Sequence, residues 1–242
     1  GGKNPTVVFA DADLDEAIEG ATSAAFSNQG QICLCGSRIL VEKSIQEEFT
    51  GRLVERASAM KIGDPLEEST EVGALVSAAH RDKVERCLSV ATQEGGTILC
   101  GGERAAPSGR CSEGYFLSPA VVTGLESNAR TNQEEIFGPV LSVIPFKDED
   151  EAIEIGNDVV FGLAAGIWTQ SIRRAIELSK RLQAGTVWVN MYRAISYSTP
   201  FGGYKQSGLG RENGQEAIRE YMQTKTVWLS TSEEVPNPFV MR

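Results

Sequence analysis

A chain of 242 residues that is 41% hydrophobic can bury a core the size of one large α/β domain, with at most an appendage beside it. Its net charge of -10 argues against a nucleic-acid or anionic-membrane surface, which needs clustered Lys and Arg. No apolar run approaches the roughly 18–20 residues that span a bilayer, no charged-then-apolar leader opens the chain, and five scattered cysteines suit a reducing cytoplasm better than a disulfide framework.

In chain order, Thr6–Ala10 predicts a short strand rich in β-branched residues, and Asp11 to Asp15 offers caps for the helix that follows. In that helix Leu14, Ile18, Ala21 and Ala25 recur at three- and four-residue spacing and form a core-facing stripe. Arg38–Val41 reads as a strand. Ser44 is expected to cap a helix in which Ile45, Phe49, Leu53 and Ala57 share a face. Ser77 to Glu94 predicts a further helix, ended by Gly95-Gly96, with Thr97–Cys100 as a strand behind it. Leu141–Phe146 is then strand, Asp148–Asn157 helix, Leu163–Thr169 strand, Ile172–Leu182 helix and Thr186–Asn190 strand. Strands alternating with helices imply α/β architecture: a mostly parallel sheet with helices on both faces. Thr224–Thr231 reads as one more strand, with no sheet of its own in this chain, ahead of a Pro236-Asn237-Pro238 ending. The expectation is that this edge pairs with another chain or is poorly ordered, since an unpaired edge invites strand addition.

The stretch with the clearest chemistry is Phe26–Arg38, where Cys33 sits among small residues and amides between a helix and a strand. Gly30 and Gly36 bracket it and allow a tight turn without a Cβ clash. A structural cysteine needs no such setting, since it packs as a small hydrophobe. A reactive one needs exposure and local positive potential, which free backbone N–H groups supply.

Gly30-Gln31-Ile32-Cys33-Leu34-Cys35-Gly36-Ser37-Arg38 resembles the active-site cysteine signature of the NAD(P)-dependent aldehyde dehydrogenase superfamily. Three more stretches resemble that family and stand in its order: Gly1-Gly2-Lys3-Asn4-Pro5, Gln133–Val140, and Pro200–Gly208. The resemblance implies the catalytic-domain fold over residues 1–222, with a C-terminal oligomerisation strand and tail over 223–242. It also implies that this is the family's C-terminal part, without the N-terminal cofactor-binding domain.

The same resemblance makes Cys33 the nucleophile, whose thiolate adds to a carbonyl so that the adduct can expel hydride and leave a hydrolysable thioester. Its own N–H is the expected oxyanion donor. The family takes a second donor, an asparagine, and the general-base glutamate from sequence ahead of Gly1. The expectation is therefore that this polypeptide alone shows no NAD-dependent turnover. Glu135 is implied to hold a ribose diol of NAD or NADP, with Phe137 beside the nicotinamide; Glu134 is the more ordinary solvated acid. Candidate walls of the aldehyde pocket are Phe26, Ile32, Leu34, Tyr192, Tyr197 and Phe201, and Arg193 could pair with a carboxylate on a semialdehyde. Asn190 resembles a family position that orders the active site. The expected partners are a small-molecule aldehyde and, when full length, further copies in a dimer or tetramer, with no nucleic acid and no membrane.

Other readings of these residues are more ordinary. Cys33-x-Cys35 with the distant His80 makes a poor zinc set, so no metal is expected. His80 falls on an amphipathic helix and reads as a solvated helix residue, and Cys35 as structural. A cousin that hands its acyl group to coenzyme A and a non-catalytic assembly domain stay open as alternatives. The run from the family's glutamate into Gly1-Gly2-Lys3 favours the hydrolytic type. Gly208-Leu209-Gly210 follows a loop rather than a strand, and its spacing does not fit a dinucleotide fingerprint.

Overall fold

The computed structural model describes residues 1–231 together with 233, 237 and 239. Its first half holds β1 (Pro5–Val8), α1 (Leu14–Phe26), β2 (Arg38–Glu42), α2 (Gln46–Ser58), α3 (Ala78–Gln93) and β3 (Thr97–Cys100). Then come the two-residue strands β4 (Arg104–Ala105) and β5 (Phe116–Leu117), followed by β6 (Ala120–Thr123) and the single turn α4 (Arg130–Gln133). β7 (Val140–Phe146), α5 (Glu149–Asn157), β8 (Phe161–Gly162) and β9 (Ala164–Trp168) lead to α6 (Ile172–Arg181), β10 (Thr186–Val189) and β11 (Tyr204–Lys205).

Seven strands form the main sheet in the order β10-β9-β1-β2-β7-β6-β3. Every neighbouring pair is parallel except the β3–β6 edge, which is antiparallel. Alternation along the strands separates two layers of core. Val8, Ile39, Val41, Leu141 and Val143 face α1 and α2, meeting Ile18, Phe49 and Leu53. Val7, Leu40, Ala165 and Ile167 face α5 and α6, meeting Ile153 and Leu178. α3 covers the far end of the sheet, with Val84 and Leu88 on Ala120 and Val122. The sheet with helices on both faces is the architecture expected from the alternation.

Local chemistry sets most helix starts. Asp13, Ser77, Asp148 and Ser171 each accept a backbone N–H in the first turn of their helix. Ser44 departs from expectation. Its hydroxyl donates to Glu42 Oε1 (3.1 Å) inside a short 3-10 turn, and α2 begins two residues later with no side-chain cap. β6 has no signature because three of its four residues are buried and the strand follows Pro119 directly. The Thr224–Thr231 strand does not form: among the described residues this stretch has no ladder partner, and Val227, Trp228 and Leu229 are 78, 93 and 84% exposed.

Candidate active site

The lead-in segments of β1, β2, β7 and β9 all reach the sheet at its amino edge, since these four strands are mutually parallel. Residues 1–4, 31–37, 133–139 and 163 therefore meet there. Open α/β sheets commonly place ligands at the carboxyl edge; here the chemistry-bearing stretches gather at the opposite one. Asn4, 1% exposed, ties three of these segments together. Its Nδ2 donates to the carbonyls of Cys33 and Cys35 (both 2.9 Å), and its Oδ1 accepts the Ala164 N–H (3.0 Å). Sequence reading passed over Asn4. The available signal was a polar amide opening an apolar strand, where it can be buried only if all its groups are used.

Cys33 occupies a β-turn closed by the Cys35 N–H on the Ile32 carbonyl (3.0 Å). The turn follows a 3-10 segment in which Asn28 and Gln29 hold positive φ of 50° and 57°, so the helix stops sharply at Phe26. Among the described residues the Cys33 N–H donates to no carbonyl or side chain, as befits the second position of a turn, and it is free to meet a developing oxyanion. Cys33 is half-buried. Cys35 is buried, and desolvation pushes its thiol up to about 11, so it stays protonated.

Gly2 stands between the cysteine turn and the Glu135 segment. Its N–H donates to Glu135 Oε1 (2.9 Å), and a Cβ there would meet the Cys33 carbonyl oxygen at 2.6 Å. Gly30, at φ +70°, packs its backbone on the Gly138 carbonyl with no room for a side chain. These contacts pack the Glu135–Gly138 segment against the backbone of the cysteine loop. Lys83 Nζ donates to the carbonyls of Glu135 (3.1 Å) and Ile136 (3.0 Å). Phe137 has φ +60° and is 38% exposed. His80 is half-buried and pairs with the Phe137 carbonyl (2.6 Å), a correction to its reading as a solvated helix residue. Glu134 is exposed and paired with Arg130 (2.9 Å), as its ordinary reading expects.

Ile32, Cys33, Leu34, Tyr192 and Phe201 meet in one apolar cluster with Leu163, Ala164 and Trp188. The Tyr192 ring lies 4.7 Å from that of Trp188, and its enclosed hydroxyl points at Gly36; burial pushes its pKa up. Arg193, at φ +61°, acts electrostatically on Cys35 and Tyr192, lowering the pKa of both against burial. Phe201 is fixed by a backbone pair with Glu212 (both bonds 2.7 Å). Tyr197 stands 89% exposed, outside the cluster. Phe26 also lies outside it: fully buried among Ile39, Phe49 and Leu141, it belongs to the helix-side core rather than a pocket wall. Asn190 lies at the carboxyl edge, where it accepts the Thr169 N–H (3.0 Å) and donates to the Thr169 carbonyl (2.9 Å). It shapes the reversal that returns Tyr192 to the cluster and does not touch the cysteine turn.

Two buried cations stiffen this edge. Arg38 is fully buried and spends its guanidinium on the carbonyls of Lys3 (2.9 Å), Ile155 (2.8 Å) and Gly156 (2.9 Å). Burial lowers it to about 10. Lys3, 2% exposed, is lowered to about 7 by desolvation and then by Arg38.

A mostly parallel α/β sheet thus gathers at one edge a half-buried cysteine turn and, across Gly2, a segment carrying a carboxylate and a partly exposed aromatic residue. Residues 1–227 match the model of the aldehyde dehydrogenase family. The chain is 46% identical over 239 residues to a betaine aldehyde dehydrogenase of Brucella anthropi, covering 99% of this chain and 49% of that relative. It is 48% identical over 227 residues to an aldehyde dehydrogenase of Emericella nidulans, covering 94% of this chain and 45% of that one. A crystal structure of betaine aldehyde dehydrogenase from Staphylococcus aureus in complex with NAD+ superposes with a TM-score of 0.93 at 40% identity, over 99% of this chain and 47% of that one. The chain belongs to the aldehyde dehydrogenase family. It spans about half the length of the curated relatives it matches.

Proposed function

We propose that this chain is the catalytic, C-terminal portion of an NAD(P)-dependent aldehyde dehydrogenase that oxidises an aldehyde to a carboxylate through Cys33. The observation that carries the reading is the cysteine turn itself: locked by Asn4, open at its N–H, and joined through Gly2 to the Glu135 segment. The Cys33 thiolate attacks the aldehyde carbon, and its proton goes to solvent. The Cys33 N–H takes the oxyanion of the thiohemiacetal. Hydride loss leaves a thioester on Cys33, and water then releases the acid and regenerates the thiol.

The residues present fit a nicotinamide cofactor. Glu135 gives one carboxylate oxygen to the Gly2 N–H and keeps lone pairs for a ribose diol, and Phe137 offers an exposed ring on the same segment. Such a group supplies the hydride acceptor. Ile32, Leu34, Tyr192 and Phe201 wall the aldehyde side, an apolar lining for aliphatic or aromatic groups, and Arg193 acts electrostatically on the Cys35 thiol. The relatives include enzymes named for betaine aldehyde and an indole-3-acetaldehyde dehydrogenase from P. syringae, which guide the choice of substrates to try. We assign the enzyme to the cytoplasm, a setting supported by five free thiols, and to a homo-oligomer.

The test is fluorescent iodoacetamide labelling. Cys33 is expected to react first and at lower pH than the other thiols, and Cys33→Ser is expected to abolish that fast phase. With the polypeptide extended N-terminally to the length of its relatives, Cys33→Ser should lower kcat by at least about a thousandfold. Equal labelling of all accessible cysteines, or turnover without Cys33, overturns the reading.

A further inference from the structure

We propose that His80, the chain's single histidine, is the positioning residue that fixes Phe137 for the nicotinamide ring, a step that rests on assigning the Glu135–Phe137 segment to the cofactor. That segment cannot hold its own aromatic in place. Phe137 is a non-glycine residue at φ +60° and is 38% exposed, so backbone preference does not hold it and packing covers it only in part. Gly138 follows it, with its Cα against Val84. The restraint comes from α3, on the other side of the segment.

His80 and Lys83 lie three residues apart and so share a face of that helix. Lys83 takes the carbonyls of Glu135 and Ile136 (3.1 and 3.0 Å), and His80 Nε2 takes that of Phe137 (2.6 Å). Three successive carbonyls are thus held from one helix. The His80 ring also meets the Phe137 ring edge-on, with centroids 6.3 Å apart and planes at 72°. The helix end that carries His80 is itself pinned, because the Ser77 hydroxyl accepts the His80 N–H (3.2 Å). A carbonyl only accepts, so Nε2 carries the hydrogen and the neutral ring is the Nε2–H tautomer. Lys83 fixes the backbone ahead of Phe137, and among the described residues His80 alone pairs with its carbonyl and meets its ring.

With one histidine in the chain, 15N-histidine labelling gives a single imidazole. Long-range proton–nitrogen correlation is expected to show a protonated Nε2 and a bare Nδ1 in the neutral ring, and the Nδ1–H tautomer overturns the contact. In the enzyme at its relatives' length, His80→Ala should raise KM for NAD+ by about three- to tenfold, the worth of one hydrogen bond. KM for the aldehyde should hold, and His80→Gln, which keeps an N–H donor, should restore the NAD+ value. A wild-type KM in His80→Ala beside a raised one in Phe137→Ala overturns the role of His80. A wild-type NAD+ KM in Phe137→Ala overturns the cofactor assignment itself and the proposal with it.

Discussion

Lys3 carries its ammonium into a site that is 2% exposed, next to the buried guanidinium of Arg38. Desolvation and that like charge bring its folded-state value to about 7, against 10.5 for the free side chain. The unfolded chain therefore binds more protons than the folded one between those two values, and stability rises with pH through that window. Below it both states carry the charge and the penalty is complete. Between pH 7 and 8, below the free-thiol value of about 8.5, urea unfolding should show a gain of about 1 kcal/mol. Lys3→Met should flatten this slope and be the more stable protein at pH 7. A wild-type profile flat over that range would mean that the amine stays charged and solvated.

At the scale of elements, the site is a property of four parallel strands entering the sheet at one edge. Asn4 converts that convergence into a fixed cysteine turn. Asn4→Ala leaves the Cys33 and Cys35 carbonyls and the Ala164 N–H without their partner, and should cost about 2–4 kcal/mol in urea unfolding. Cys33 should then lose its selective alkylation even where the variant is still folded; retention of that selectivity would show that Asn4 is only structural. Much of this edge was legible beforehand: the glycine-bracketed cysteine, the Glu135–Phe137 stretch and the alternation of strand and helix all lie in local sequence. Asn4's role was not, because the partners of its amide are 29 to 160 residues away. His80 misled for the same reason, since its helical spacing says nothing of a carbonyl 57 residues on. Phe26 is adjacent to the cysteine loop in sequence, yet the last turn of α1 rotates it into the core. Ser44 shows a local rule losing to a local competitor, the Glu42 carboxylate.

On the scale of the whole molecule, the sheet is closed by helices on its faces, while the stretch after Met222 carries the largest apolar side chains left in water. Val227, Trp228 and Leu229 are consecutive, and each is more than three-quarters exposed. Scattered apolar residues on a surface need no explanation, but a contiguous β-prone run without a ladder is a strand waiting for an edge. Among the described residues Val227–Leu229 has no ladder partner, and a second copy of the chain would supply one at the least cost in new surface. The mass from light scattering should therefore rise with concentration, and Trp228→Lys should hold the chain at the monomer mass. Tryptophan emission gives an independent reading, because Trp168 and Trp188 are buried at 4 and 5% exposure and only Trp228, at 93%, can move from water into an interface. A blue shift that tracks the rise in mass supports strand addition through this segment. A mass that rises with unchanged emission places the contact elsewhere, and a monomer at all concentrations removes the tail's claim to an assembly role in this chain.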